Sequence, residues 1–318
     1  MAKIIALLRR NMLLIIGLVL LTVPYFTSQY QFYVVERGVQ NAVLVLGLVI
    51  LIGFSGMMTL GCAGLLAVGA YSYAILLVKL GLSPFPGVII AVVFTTLLGT
   101  LLAFPAFRLS GPFLVVVTIG FGEIIRILLL NLESVSGGAY GISGYSKLVS
   151  DSRLFYFLMV ASLVLLAFGI NRIDKSIIGL ALKSIRQDEI AAEVMGVDVR
   201  RAKVLAYSLS SMLAGLSGVF LANLTGYISP DSFTSAESAT YLLMVVMGGM
   251  SHPLGAVISS IALTWLPEVL RFLSSSRLLV YSFVLLVYIR MRWTKSDQSF
   301  TAAGIAGKVK TLIKASKK

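Results

Sequence analysis

Long apolar stretches alternate with short polar segments along almost the whole chain. Most of the apolar stretches approach the roughly 20 residues that a helix needs to cross the hydrocarbon core of a bilayer. They are continuously apolar rather than alternating, so they predict membrane-spanning helices and not the strands of a transmembrane barrel. The pattern predicts about ten spans, near residues 12–27, 39–57, 61–80, 86–104, 112–131, 154–171, 203–225, 238–251, 254–272 and 278–291.

The composition supports a fold class that is all-α, a polytopic integral membrane protein. Hydrophobic residues make up 58% of the 318 residues and charged residues 12%, whereas a soluble domain has about half and a quarter. The first 26 residues have the charged start and apolar core of a signal peptide but no Ala-x-Ala-like cleavage site. They are therefore predicted to be a retained first membrane helix.

Lys and Arg residues concentrate between alternate pairs of spans. With a cytoplasmic N-terminus, 19 of the 26 basic residues fall in cytoplasmic segments and six in external ones, while Arg126 lies within a span. Basic residues favour the cytoplasmic side of membrane proteins, so both termini are predicted to be cytoplasmic. The same distribution accounts for the net charge of +13 without a nucleic acid partner.

The chain divides into one membrane domain and a tail. No long Pro- or Ser-rich linker interrupts residues 1–291, which are predicted to form a single transmembrane domain, with 172–203 as a charged cytoplasmic loop. Residues 292–318 are predicted to be a basic cytoplasmic tail, which either anchors the topology or attracts anionic lipids.

The residues needed for catalysis or metal binding are scarce. One His (His252) and one Cys (Cys62) cannot supply a metal cluster. The tail sequence AAGIAGKVK departs from a nucleotide-binding P-loop at Ala302 and Val309, where the motif requires Gly and Ser or Thr. Neither an enzyme nor a bound cofactor is predicted for this chain.

Two membrane segments combine features of helix packing and of a transport path. Residues 53–74 (GFSGMMTLGCAGLLAVGAYSYA) hold five glycines, which permit close helix packing or line a substrate path. In the span 112–131, Glu123 and Arg126 are three residues apart and can meet on one helix face. They form either an ion pair that locks two helices or a polar lining beside a pathway.

The charged loop contains a short stretch with helical character, DEIAAEVMG at residues 188–196. Acidic residues at its start and Gly196 at its end are typical of a short helix followed by a turn. Its small and apolar residues suit a cleft in another protein. A helix lying on the membrane surface and an ordinary solvated loop are the alternatives.

Most of residues 40–272 resemble the LivM-type permeases of branched-chain amino acid ABC importers. The resemblance is carried by residues 55–77 (SGMMTLGCAGLLAVGAYSYAILL), 118–144, 179–222 (including DEIAAEVMGVDVRRAK) and 244–271, in the family's order. Among the departures of this chain from the family, two concern candidate site residues. The Glu of the EAA-type motif is displaced by one residue to Glu189, and Cys62 stands where relatives often have Gln or His.

The resemblance implies a function, a location and a set of partners. Such a chain is a transport subunit of the prokaryotic plasma (inner) membrane, paired with a second homologous permease. Two cytoplasmic ATPase subunits bind ATP and Mg, and an extracytoplasmic binding protein delivers the substrate. The segment 186–203 then acts as the coupling helix. The expected ATPase-coupling residues are Asp188, Glu189, Ala191, Ala192, Gly196 and Arg200, and the translocation-path candidates are Ser55, Thr59, Cys62, Tyr71, Glu123 and Arg126.

Two alternatives stand beside this interpretation. Related ABC permeases carry urea, sugars or nucleosides, and no residue of the sequence identifies the side chain of a substrate. A secondary transporter or channel that works without an ATPase would have the same pattern of spans.

Overall fold

The computed structural model describes residues 28–106, 109 and 111–269, together with the isolated positions 17, 20, 22 and 24. Apart from those positions, the predicted first span 12–27 lies outside the described residues. The predicted last span 278–291 and the tail 292–318 also lie outside them.

The described residues are mainly helical. The helices are α1 (Gln29–Leu48), α2 (Cys62–Leu80), α3 (Pro84–Leu101), α4 (Ala103–Ala106), α5 (Pro112–Asn131), α6 (Glu133–Ser136), α7 (Ser152–Asp174), α8 (Ile177–Gln187), α9 (Glu189–Val194), α10 (Val199–Thr225), α11 (Ser235–Gly248) and α12 (Pro253–Val269). Helix α1 continues directly into a π-helical segment, Val49–Phe54, and short 3₁₀ turns occupy Gly138–Tyr140 and Pro230–Ser232. Strands β1 (Ile142–Ser143) and β2 (Tyr227–Ile228) pair antiparallel.

Six helices within the described residues are long and apolar enough to cross a membrane. They are Gln29–Phe54, Cys62–Leu80, Pro84–Pro105, Pro112–Asn131, Ser152–Asp174 and Val199–Thr225. Each corresponds to one predicted span, which confirms the all-α, polytopic fold class. Helix α11 has 14 residues and α12 has 17, fewer than the roughly 20 that a bilayer requires. The total of ten spans stays a prediction.

In the structure the second span begins earlier in the chain than the sequence pattern predicts. Residue 39 was the expected start, but α1 begins at Gln29, where the Ser28 hydroxyl accepts a hydrogen bond from the Gln31 amide in a capping box. Residues 29–31 are exposed, whereas Glu36 and Gln40 are less than a tenth exposed, so α1 carries buried polar side chains into the bundle.

Helix α10 lies at the centre of the bundle, packed against α1, α2 and α3. Its backbone approaches that of α2 closely, since a Cβ added at Gly69 would lie 2.6 Å from the carbonyl oxygen of Gly215. Only glycine fits at such a crossing, and small residues are what allow membrane helices to pack this closely. The glycines of residues 53–74 that meet α10 are therefore packing positions.

Hydrogen bonds between side chains also join α1 to its neighbours. The Gln40 amide donates to the Ser217 hydroxyl of α10 across 2.7 Å. The Asn41 amide donates to the Thr264 hydroxyl of α12 across 3.0 Å. Inside a bilayer such bonds are important because a polar group has no water to replace its partner.

The two ends of the bundle differ. Helix α7 ends, and α10 begins, at the end that carries the charged segment 172–203, called here the insert. At the opposite end β1 pairs with β2 in the register Ile142 to Ile228. There the Tyr145 hydroxyl donates to the Ala222 carbonyl across 2.9 Å, and burial raises the pKa of Tyr145 to about 12.

Candidate functional site

The helix predicted within DEIAAEVMG is present as α9. Asp188 caps it, because its Oδ1 atom accepts hydrogen bonds from the amides of Ile190 and Ala191, each across 3.0 Å. An aspartate at this position satisfies amides that have no partner within the helix. Helix α9 ends before Gly196, whose φ of 89° lies in the left-handed region that glycine adopts readily.

Helix α9 presents an apolar patch to its surroundings. Ile190, Val194 and Met195 are 76%, 82% and 84% exposed; together they are called here the docking patch. Ala192 points the other way and is only 4% exposed, so it packs inside its own chain. Ala191, Gly196 and Arg200 are exposed. Of the small residues expected to contact an ATPase, Ala191 therefore lies on the exposed face of the helix and Ala192 on the buried face.

Ion pairs join the two short helices of the insert, α8 and α9, to the ends of the long helices α7 and α10. The Glu189 carboxylate on α9 lies 2.7 Å from the ammonium group of Lys203 on α10, a side chain that is 4% exposed. On α8, Lys183 lies 2.6 Å from the Asp174 carboxylate and 5.6 Å from the centre of the Phe54 ring. A cation at this distance from an aromatic face is attracted by the ring. Both pairs connect the insert to helices that cross the membrane.

A shallow groove lies where α2, α5 and the start of α11 meet. Its lining combines apolar and polar groups: Leu60, Ala63, Gly64, Ile119, Gly122, Glu123, Phe233, Thr234, Ser235 and Ser238. The two long helices cross at glycine, since a Cβ added at Gly64 would lie 2.7 Å from the Cα of Gly122.

Two of the predicted path residues lie at the start of α2. The Cys62 thiol is 2% exposed and lies 3.8 Å from the carbonyl oxygen of Ser238. The next amide, that of Ala63, donates to the Ser238 hydroxyl across 3.0 Å. Thr59 is buried and accepts from the Gly61 amide across 3.3 Å. Both side chains lie next to residues that line the groove, but neither lines it.

Glu123 and Arg126 form the predicted ion pair on α5. Arg126 Nη2 lies 2.5 Å from Glu123 Oε1, and Nη1 lies 3.3 Å from Asp231 in the 3₁₀ turn at Pro230–Ser232. Arg126 therefore connects α5 to the segment that leads into α11. Glu123 also lines the groove, so the pair is both a lock between segments and part of a polar lining.

The remaining predicted path residues are separated from the groove. The Tyr71 ring packs edge-on against Phe233, with ring centres 6.1 Å apart, and Tyr71 itself does not line the groove. Ser55 donates to the Leu51 carbonyl across 2.5 Å, beside the π-helical segment. Sequence reasoning missed Gly122 and Ser238 as lining residues. The GFG at 120–122, beside Glu123, was the available signal for the first of these.

Among the described residues, no group of three or more His, Cys, Asp or Glu side chains could hold a metal ion. The groove itself has one carboxylate, that of Glu123. What the groove offers is an apolar wall with a few hydroxyl groups and one charge.

Several long apolar helices, a mixed groove beside the charged face of a span, and an exposed patch on a charged insert define a multi-pass membrane transport protein. Residues 32–290 match the model of a family described as "Branched-chain amino acid transport system / permease component". The chain belongs to this family of ABC transporter permeases, and it is a multi-pass protein of the prokaryotic inner membrane.

Two curated relatives extend this result. The chain is 35% identical over 293 residues to the high-affinity branched-chain amino acid transport system permease protein LivM of Escherichia coli (strain K12). It is 34% identical over 277 residues to the protein of the same name from Salmonella typhimurium (strain LT2). The matches cover 82% and 78% of this chain and 69% and 65% of the relatives, which confirms the LivM-type resemblance. No solved structure matches the chain.

Proposed function

We propose that this chain is the transmembrane permease subunit of an ATP-driven ABC importer for branched-chain amino acids. It forms half of the translocation pathway, and a second homologous permease forms the other half. A binding protein outside the membrane delivers the substrate. Two separate cytoplasmic ATPase subunits hold ATP and Mg²⁺, so this chain needs no cofactor of its own and acts as a transport subunit, not as an enzyme.

The docking patch on α9 is the observation that carries this proposal. Three large apolar side chains are more than three-quarters exposed on a segment that also carries Asp188, Glu193 and Asp198. The charged neighbours favour water and not lipid, and an apolar patch in water is typical of a surface for another protein. A short helix with an apolar face fits a groove in its partner.

The charge distribution supports a cytoplasmic location for that partner. Residues 172–203 carry seven of the 26 Lys and Arg residues, and basic segments favour the cytoplasmic side. ATP is available on that side, so an ATPase is the partner that fits. The two termini are then cytoplasmic as well, which agrees with the count of basic residues along the chain.

The weakly covered face of α5 supports a second permease subunit. Of the six long helices in the described part of the chain, α5 has the lowest buried share, 11% of its apolar window. Yet Glu123 and Arg126 stand on it, and an ionised group facing lipid costs about 2.5–3.5 kcal/mol on insertion scales. A second subunit and a hydrated path between the two would remove that cost.

The substrate class comes from the relatives and suits the groove. Both relatives are called branched-chain amino acid permease proteins. Leu60, Ile119 and Phe233 offer an apolar wall that suits an aliphatic side chain.

The docking step is tested by Val194→Asp, which places a charge in the centre of the docking patch. Glu193→Gln, on the same helix, is the matched control. The complete complex is purified through a tag on this chain, and the co-purified ATPase is measured. We expect V194D to lose the ATPase and E193Q to retain it; normal ATPase binding by V194D would contradict the docking role. Ala192→Arg is less informative because Ala192 is packed inside its own chain.

The transport step is tested with the wild-type complex in proteoliposomes containing the binding protein. Labelled leucine, isoleucine, valine, urea and ribose are offered in turn, with and without ATP. ATP-dependent uptake of the three amino acids is expected. Uptake of urea or ribose instead would overturn the substrate class, and uptake driven by an ion gradient without the ATPase would identify a secondary transporter.

A further inference from the structure

Arg186 joins three segments of the chain that are far apart in sequence. It lies at the end of α8, two residues before Asp188, which caps α9. Its Nη1 atom donates hydrogen bonds to the Gly53 carbonyl and, across 2.7 Å, to the Ser251 hydroxyl. The Ser251 hydroxyl donates to the same Gly53 carbonyl across 3.1 Å. Arg186 Nη2 lies 3.9 Å from the sulfur of Met250.

The Gly53 carbonyl is at a helix end, where a cation is favoured. The amides of Ser55, Gly56 and Met57 bond to the carbonyls of residues 50, 52 and 51, and the Gly53 carbonyl accepts from side chains instead. Carbonyls in the last turn of a helix lack partners within the helix. The negative end of the helix dipole attracts a positive charge, and hydrogen bonds from a guanidinium are stronger than neutral ones.

The fit between Arg186 and the segment after α1 is close. Gly56 has a φ of 73°, and a Cβ added there would lie 2.9 Å from the Cγ of Arg186. At Gly53, a Cβ would clash with the carbonyl of Met250. The aliphatic part of Arg186 and the turn at Met250–Ser251 therefore lie directly against the backbone at Gly53 and Gly56. Because these atoms are in direct contact, a displacement of α8 is expected to displace the backbone at Gly53 and Gly56 too.

The segment held by Arg186 leads from the insert to the groove. It begins in the π-helical residues Val49–Phe54, a type of helix that occurs often at functional sites. It continues through Thr59 to Gly61, where a Cβ would lie 2.6 Å from the carbonyl oxygen of Thr118 on α5. Residues 53–61 thus connect the Arg186 contact directly to the helices that form the groove.

We propose that Arg186 is a positioning residue that transmits movement of α9 to residues 53–61 and so to the groove. The inference rests on the proposed function, because it requires an ATPase that docks at α9. Movement of the docked helix pulls the end of α8, and Arg186 passes the displacement to Gly53 and to the turn at Ser251. The ATPase cycle is thereby connected to opening and closing of the path.

The test measures transport and ATP hydrolysis separately in the complete complex. Arg186→Ala removes the hydrogen bonds to Gly53 and Ser251. Arg186→Lys keeps the positive charge but lacks the two Nη groups of the guanidinium. Ser251→Ala removes the hydroxyl group that bonds both Arg186 and the Gly53 carbonyl. Lys175→Ala, an exposed basic residue elsewhere in the insert, is the control. Co-purified ATPase, ATP hydrolysis and leucine uptake are determined for each variant in proteoliposomes.

We expect R186A to bind the ATPase and hydrolyse ATP nearly as the wild type does, while uptake per ATP falls about tenfold, within the usual range for coupling between sites. R186K should recover part of the ratio. S251A should lower it less, and its effect should not add to that of R186A, since the two side chains act on one carbonyl. K175A should leave the ratio unchanged.

An unchanged ratio in R186A, or a fall in hydrolysis that matches the fall in uptake, would overturn the inference. If R186A does not fold, the ratios of R186K and S251A decide the question. The V194D variant separates the two proposals. Normal ATPase binding by V194D contradicts the docking role itself, whereas loss of binding by V194D with normal coupling in R186A contradicts only the role of Arg186.

Discussion

Glu189 and Lys203 form an ion pair that joins α9 to the start of α10, with 2.7 Å between the carboxylate oxygen and the ammonium nitrogen. The lysine is buried and the glutamate is 42% exposed. The acidic residue at the start of the docking helix thus serves its own chain and fixes the angle of α9 against the bundle. In the proposed docking, the docking patch and not Glu189 contacts the ATPase.

The two halves of this pair should respond differently to removal. Glu189→Ala removes the hydrogen bond between the carboxylate and a buried ammonium group, and a hydrogen bond between charged groups contributes about 1.5–3 kcal/mol of folding free energy. Lys203→Met leaves a carboxylate that water can reach, so its cost should be lower. Thermal unfolding of the purified complex measures both changes, and equal shifts in the two variants would contradict the assignment of the buried charge.

The crossing of α2 and α10 predicts a second result. Gly69→Ala puts a Cβ 2.6 Å from the Gly215 carbonyl oxygen, and overpacking of this kind costs about 1–3 kcal/mol. Gly169→Ala is the control, since a Cβ there meets nothing within 4 Å. Thermal unfolding should show a clear loss for G69A and no loss for G169A. A stable G69A variant would mean that the two helices lie further apart.

The charges on α5 predict a third result. Arg126→Gln removes the partner of both Glu123 and Asp231, whereas Asp231→Asn removes one exposed contact, worth about 0.2–1 kcal/mol. Uptake and thermal stability should therefore fall much more in R126Q than in D231N. Arg153→Gln, at an exposed arginine, is the control. Equal effects of R126Q and D231N would show that Asp231 is the main partner.

The fourth prediction concerns chemical labelling of Cys62, which can be measured in the wild-type chain because Cys62 is its single cysteine. Its thiol is 2% exposed, so a maleimide should not modify it in the native protein and should modify it fully after denaturation. Mass spectrometry reads the extent of labelling. An exposed cysteine in the double variant Cys62→Ala, Ser150→Cys controls for reagent access, and equally rapid labelling at position 62 would contradict the packed groove wall.

The parts of the fold that could be predicted are those with a local signal. Continuous apolar stretches marked the centres of six spans, and the aspartate that begins DEIAAEVMG and the glycine that ends it marked α9. Spacing along one helix was enough to pair Glu123 with Arg126. Each of these signals lies within a few residues, where helical geometry alone determines which side chains meet.

The parts that could not be predicted depend on distant partners. Arg186 and Gly53 are 133 residues apart, and Cys62 and Ser238 are 176 apart. Nothing in the local pattern around Arg186 distinguishes it from the other basic residues of the insert. The early start of α1 was missed for the same reason, because its polar residues are buried by helices that follow much later in the chain.

The hydrogen bond between Gln40 and Ser217 has a consequence for the order of synthesis. The two residues are 177 positions apart, so at about 5–20 residues per second Ser217 is made roughly 10–35 s after Gln40. Throughout that interval the amide of Gln40 has no partner from α10, while the lipid offers none. We therefore expect α1 to move fully into lipid only after α10 has been made, so that the two helices enter the bilayer as partners.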